Sequence, residues 1–459
     1  MLPHVSPPIP GPKSRELAKL LSKYENRNVT YLGESFPIIW QHADGSNVWD
    51  VDDNRYIDLT AGFAVAAHGH THPKIQDAIL NQSRLLLHAM GDVHPAANKA
   101  LLCERLSAIT FERWNLGSAK TTLCNSGFEA VEVAIKTSLL HSGKPGVIAF
   151  RNAYHGLGYG ALEVIGIPWF REPFRSQLRD YVTLVPYPSC VRCPFGRSEG
   201  YRLEGGRFPN CALSCLEAIE DLISQAIRQR EIGCVIVEPC QGRGGEIIPP
   251  LDFLRLLRSI CDRHKILLIF DEIYTGFNRT GSLFACDQFG VYPDILCLGK
   301  GLTSGFPLSA CVGRAEIMDA WPKSAGEALH TTTFLGNPIG CAMALTSIQL
   351  HLDPQTGERV RATGRYFLQK LRSLHHQSIG NVRGLGLMIG LELVDSNGNP
   401  DRVRAAQIVN QALQDGLILL GGAPEGNVLS FTPPFCISQE EIDFVIARLD
   451  HYFRLGSPS

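Results

Sequence analysis

Two short apolar runs in this chain end on charged residues that packing alone would not select. Ile266 to Phe270 leads into Asp271 and Glu272, and Ile295 to Leu298 leads through Gly299 into Lys300. Continuous apolar runs of this length fit strands buried on both faces, as in a parallel sheet covered by helices. In open α/β sheets, ligands collect just outside the carboxyl ends of the strands. Neighbouring strands would therefore set the Asp271 carboxylate and the Lys300 amine in one crevice. Such a pair suits a cofactor with a pyridine ring, held covalently by the amine and through its ring nitrogen by the carboxylate.

Other strand ends add to that crevice. CVIVEP closes on Glu238, and GVIAF is followed by Tyr154, His155 and Gly156. An aromatic pair there suits stacking on a flat ring, and ordinary packing would account for it equally. Between Thr121 and Leu140 a brief strand meets Asn125-Ser126-Gly127, and an amphipathic helix starts directly after. Free N–H groups at a helix N-terminus suit a phosphate; the same triplet also serves as a plain cap.

The elements that would carry these residues read as a doubly wound α/β domain. Buried strands alternate with helices such as LEAIEDLISQAI and LDFLRLLRSICDRH. Residues 1–13 form a Pro-rich arm without an apolar signal core, expected to lie on the surface or on a partner subunit. Residues 14–65 hold a short helix and an antiparallel meander punctuated by Asp50, Asp52 and Asp53. Residues 66–336 form the large domain. Residues 337–459 read as an α+β lobe folding back onto the meander, with helices in GCAMALTSIQLHL and YFLQKLRSLHH and strands at GLGLMIGLELV and NVLSFTPP.

Composition excludes several classes. Over 459 residues the net charge is -2, which offers nothing to attract nucleic acid or an anionic membrane. No apolar run is long enough to span a bilayer, and no G-x-G-x-x-G follows a first strand. Most of the 14 cysteines sit inside apolar runs as small hydrophobes, which favours a reducing cytoplasm. An insert at 187–216 differs: Cys190-x2-Cys193 and Cys211-x3-Cys215 approach zinc-ribbon spacing. Four thiolates there suit a structural Zn²⁺ or an iron–sulfur cluster; disulfides or unligated thiols holding a loop are the alternative.

From about Val29 to Leu449 the chain resembles the class III aminotransferases, pyridoxal-phosphate enzymes of fold type I. The motifs occur in that family's order: NVWDVDDNRYIDLTAGFAVAAHGHTHP, CNSGFEAVEVAIK, YHG, EPCQGRGG, FDEIYTGFNRTG, LGKGLTSGFPLSA and TTTFLGNPIGCA. The resemblance implies a large domain with a mostly parallel central sheet flanked by helices, plus a small α+β domain built from both termini. It implies that Lys300 holds pyridoxal 5′-phosphate as a Schiff base and later moves the Cα proton. Asp271 would pair with the pyridinium nitrogen. Ile273 would pack under the ring, with Tyr154 stacked on its opposite face and His155 beside it. Ser126, Gly127 and Phe128 would take the phosphate. Glu238, Gln241 and Tyr274 would shape the surroundings of the ring hydroxyl. Thr333, next to Thr332, would reach the phosphate of a neighbouring subunit, making a homodimer, or a dimer of such dimers, the active form.

Three positions depart from the pattern of members that use 2-oxoglutarate. Leu157 and Ser430 stand where many carry arginines, and Arg243 stands where many carry the glutamate that masks one of them. A cation at 243 can itself accept a carboxylate, so substrate recognition is expected to shift there. The implied reaction is ping-pong transfer of an amino group from an amino acid or amine to a keto acid. The alternatives are an amino-acid racemase or epimerase on the same fold, which would need a second proton donor, and a non-catalytic scaffold.

Overall fold

In the computed structural model, residues 1–33, 35–189 and 214–455 are described. They divide into two units, Met1–Pro73 with Glu358–Ser459, and Lys74–Gly357. The first begins with a meander of β1 (Trp40–Asp44), β2 (Asn47–Asp50) and β3 (Arg55–Asp58). Asp50 shapes the turn between β2 and β3: one oxygen accepts the N–H groups of Asp52 and Asn54, both at 2.9 Å. The N-terminal arm pairs with β3 of its own chain, His4 and Arg55 exchanging backbone hydrogen bonds.

The larger unit is organised on seven strands: β4 (Ala119–Cys124), β5 (Gly146–Phe150), β6 (Val182–Val185), β7 (Ile232–Val237), β8 (Leu267–Asp271), β9 (Ile295–Leu298) and β10 (Ser309–Arg314). Their order across the sheet is β4-β10-β9-β8-β7-β5-β6. The five from β9 to β6 run parallel, while β10 lies antiparallel to both β9 and β4. Six strands therefore point the same way, and their carboxyl ends share one edge. Every residue of β5, β7, β8 and β9 is buried, so alternation would have been the wrong signature for them. Helices Gly127–Ser142, Ser214–Gln229 and Leu251–His264 flank the sheet. Val131, Ala134, Val147, Ile236, Ile269 and Cys297 form one core beneath its carboxyl edge. Burial of each large aliphatic side chain contributes about 1.5–3 kcal/mol.

Helix Pro338–His351, capped by the Asn337 side chain, packs on helix Ala97–Ser107 within this larger unit. The sequence pattern assigns this helix to the C-terminal lobe; its apolar faces pack in the larger unit instead. GLGLMIGLELV, read as one strand, is a hairpin: β11 (Ile379–Leu385) turns at Gly386, φ 59°, into β12 (Met388–Leu393). The chain then adds β13 (Leu417–Ile418), β14 (Leu420–Gly422) and β15 (Val428–Phe431). β13 pairs parallel with β3, which joins the two ends of the chain in one unit. Leu391, Leu429, Phe367 and Ile442 lie in its core.

Candidate active site

The carboxyl edge of the large sheet collects Ser126 after β4, Tyr154 and His155 after β5, Glu238 after β7, Asp271 at the end of β8, and Lys300 after β9. Asp271 is almost wholly buried and held from two sides. His155 Nδ1 lies 2.7 Å from Oδ2, and the N–H of Ile273 donates to Oδ1 at 3.1 Å. Burial works to lower the His155 pKa, but the hydrogen bond to Asp271 and the charges of Asp271 and Glu238 hold it above its usual value. Glu238 accepts the N–H groups of Tyr154 and Gly242, each at 3.0 Å. Burial pushes its carboxyl up to about 7 despite those bonds and the nearby His155.

Lys300 sits at φ 46°, a left-handed conformation that costs a non-glycine residue about 1–3 kcal/mol and gathers at functional sites. It opens the short 3₁₀ turn Lys300–Leu302. Its Nζ lies 4.3 Å from the centroid of the Tyr274 ring. Burial brings the amine down to about 8, with Asp271, Glu238 and Glu246 pulling the other way and Arg243 adding to the depression. The Tyr274 hydroxyl donates to Glu246 Oε1 at 3.0 Å, so this ring is fixed against the amine from outside.

At the start of helix Gly127–Ser142, Ser126 occupies the cap position with extended backbone, yet its side chain caps nothing. Its hydroxyl oxygen is buried without a hydrogen-bond partner. Gly127 and Gly299 both close on the Ile273 side chain: a Cβ on the first would lie 3.0 Å from Ile273 Cδ1, and on the second 3.3 Å from Cγ2. Gly156, at φ 106°, lets its loop pass over Phe128, where any Cβ would collide with that side chain. Thr332 accepts from the Asn125 amide at 2.8 Å, and Thr333 is exposed. Gln241 donates to the Arg151 carbonyl at 2.9 Å. Arg243 is exposed, its guanidinium over the Tyr154 ring. Leu157 is 50% exposed, and Ser430 lies on β15 in the other unit.

The family model for aminotransferase class-III matches residues 30–453. The chain belongs to that family. It is 33% identical to a leucine/methionine racemase of Thermococcus litoralis, covering 90% of each chain. It is 35% identical to a 4-aminobutyrate aminotransferase of Mycobacterium leprae, covering 94% of each. Its fold is that of the fold type I transaminases: an amine transaminase of an uncultivated Pseudomonas species, solved in the PLP-bound form, superposes with a TM-score of 0.84 at 28% identity, covering 95% of this chain and 99% of the other.

The residues of this class-III aminotransferase fit the cofactor of its family. A buried hydroxyl with no partner stands at the N-terminus of a 16-residue helix, where free N–H groups favour an anion. A carboxylate pinned by an imidazole and a depressed amine lie along the same sheet edge. The expected metal centre is a different matter. Cys190, Cys193 and Cys211 lie outside the described residues, and Cys215 is buried in helix Ser214–Gln229. Among the described residues no group of three His, Cys, Asp or Glu side chains could hold a metal ion. Two neighbours of the site carry little sequence signal of their own. Glu246 arrives on the loop that Gln241 and Ile247 close, and Phe170 on the short helix Pro168–Arg171; the acidic residue ending EPCQGRGGE is the one available signal. Glu272, read beside Asp271, turns away to accept the N–H groups of Ala285 at 2.7 Å and Cys286 at 2.8 Å.

Proposed function

We propose that this protein transfers an amino group from an amino acid or amine to a keto acid, with pyridoxal 5′-phosphate seated along the carboxyl edge of the large sheet. The observation that carries this reading is the pairing of a depressed lysine amine with a carboxylate pinned by a buried imidazole on adjacent parallel strands. When bound, the cofactor supplies a carbonyl carbon for amines and a protonated pyridine ring that accepts the electrons left at Cα.

The remaining roles fall to this chain's own side chains. Asp271 would hold the ring nitrogen and its proton, with His155 and the Ile273 N–H keeping the carboxylate oriented. Ile273 and Tyr154 would confine the two faces of the ring. Ser126 Oγ with the Gly127 and Phe128 N–H groups would bind the phosphate, the hydroxyl being already desolvated and unpaired. Glu238, Gln241 and Tyr274 shape the rim beside the lysine. Lys300 would hold the cofactor covalently and, once released as a free amine, take the proton from Cα and return it. With a pKa of about 8, more of this amine is neutral and able to accept a proton near neutral pH than of an ordinary lysine.

A homodimer suits the surface of the larger unit. Leu85, Leu87, Met90, Val93 and Phe334 are all more than half exposed, and Thr331 donates to Asp92 at 2.9 Å, tying the Thr332–Thr333 segment to this apolar stretch. A second copy covering it would bring Thr333 toward its partner's phosphate site. Buried thiols such as Cys234, Cys297 and Cys311 suit a reducing, cytoplasmic setting. Among the described residues no helix is long and apolar enough to cross a membrane.

The test is spectroscopic. The loaded protein should show a visible absorption band that Lys300→Ala abolishes, and the band should bleach with an amino donor and recover with pyruvate or 2-oxoglutarate. Absence of any band in the wild type sinks the proposal. The likeness to a racemase favours a second reading: formation of the opposite enantiomer without a keto acid, scored by chiral chromatography, would establish it instead.

A further inference from the structure

The loop after β7 closes on itself and presents one residue outward. Gln241 and Ile247 exchange backbone hydrogen bonds at 3.0 and 2.9 Å, and the N–H of Gly242 is anchored to Glu238. Arg243 follows directly. Its guanidinium carbon lies 4.9 Å from the centre of the Tyr154 ring and 5.4 Å from that of Phe170. Those rings meet edge to face, 5.5 Å apart. Among the described residues Arg243 forms no ion pair. Aromatic faces hold a guanidinium in place without neutralising it, and they leave the N–H donors around its edge unused.

The same loop borders the reactive amine. Glu246, near its far end, accepts from the Tyr274 hydroxyl at 3.0 Å, and the Tyr274 ring is 4.3 Å from Lys300 Nζ. The positive charge of Arg243 is felt at both Lys300 and Tyr154. A planar fork of donors, positioned and un-neutralised beside a reactive amine, matches a carboxylate better than any other common group. We propose that Arg243 binds the carboxylate of the amino donor and of the keto-acid acceptor, so that this site takes carboxylate-bearing amino acids and their oxo acids in preference to simple amines. This rests on the reading of Lys300 as the reactive amine.

The experiment uses the loaded enzyme and its Arg243→Gln and Arg243→Lys variants; Arg243 is exposed, so neither change threatens the core. A panel of α- and ω-amino acids is titrated against the visible band beside matched amines, such as alanine with ethylamine and 4-aminobutyrate with butylamine. Binding of propionate is followed separately by calorimetry. In Arg243→Gln the half-saturating amino-acid concentration should rise about 10- to 100-fold and propionate binding should disappear. Amines should stay within about twofold, and Arg243→Lys should recover part of the loss. Equal weakening of acids and amines, or no change in either, overturns the proposal, as does a wild type that takes amines as readily as acids. Failure of the transfer chemistry itself is told apart: a wild type without a visible band, or one that answers no donor, still scores Arg243 through propionate.

Discussion

His155→Phe is the most informative single perturbation of the site. The aromatic side chain keeps the volume of a fully buried ring but removes the hydrogen bond of 2.7 Å to Asp271. A hydrogen bond to a charged group contributes about 1.5–3 kcal/mol, and each 1.36 kcal/mol is about tenfold in rate. If that bond orients the carboxylate serving the ring nitrogen, kcat should fall roughly 10- to 150-fold. KM for the amino donor should move less than about threefold if Asp271 serves the cofactor ring and not the substrate. His155→Gln, which can still donate to Asp271, should recover much of the rate. The assay is the single-turnover half-reaction followed by the visible band, with thermal unfolding of the loaded protein as a control for folding. A kcat within twofold of wild type in His155→Phe, or equal losses in the Phe and Gln variants, would refute the argument that this imidazole acts through Asp271.

Ser126→Ala should weaken pyridoxal-phosphate binding about 10- to 150-fold, the worth of one hydrogen bond to a charged group. It should leave the melting temperature of the cofactor-free protein unchanged, because the hydroxyl has no protein partner to lose; a lowered apo melting temperature would show a structural hydroxyl. If Lys300 holds the cofactor, loading requires its neutral form, so the stopped-flow rate should climb about tenfold per pH unit and level off above about 8. A rate still climbing at the pH where ordinary lysines titrate would contradict the depression. Burial lifts Glu272 from 4.5 to about 7. The unfolded chain then releases this proton first as pH rises, so stability is lost progressively between those values. Glu272→Gln should flatten that decline in calorimetry even as it lowers stability throughout, and parallel curves would falsify the assignment.

What could be read from the sequence followed from residues whose local context contradicted their type. Asp271 and Lys300 stood out because a charged group ended a run that otherwise wanted burial, and the helix at Gly127 because its cap and periodicity lay side by side. The role of His155 was not legible as a tether. Its partner is 116 residues away, and nothing near Tyr154 distinguishes a stacking ring from a proton donor. The reversal of β10 was equally hidden, since SACVGR reads the same in either direction between two buried neighbours. Helix Pro338–His351 is apolar on most sides, so its sequence promised burial without saying against what. Asp271 and Glu272 looked like a matched pair, but adjacent residues at a strand end point opposite ways, one toward the site and the other into the turn that follows.

The shared edge of six strands has a consequence for assembly. Ser126, His155, Asp271 and Lys300 come from four segments of the larger unit, and the shortest stretch of chain that holds them all runs from Ser126 to Lys300. A molecule that touches all four binds only after β4 and β5 have docked on opposite sides of β8 and β9. Cofactor capture therefore reports completion of the sheet from β4 across to β5 rather than of any one piece of it. By linkage, a free cofactor concentration a hundred times Kd adds about 2.7 kcal/mol to the folded state of the larger unit. Scarcity of one small molecule would be felt as loosening throughout the sheet, far from the atoms it touches.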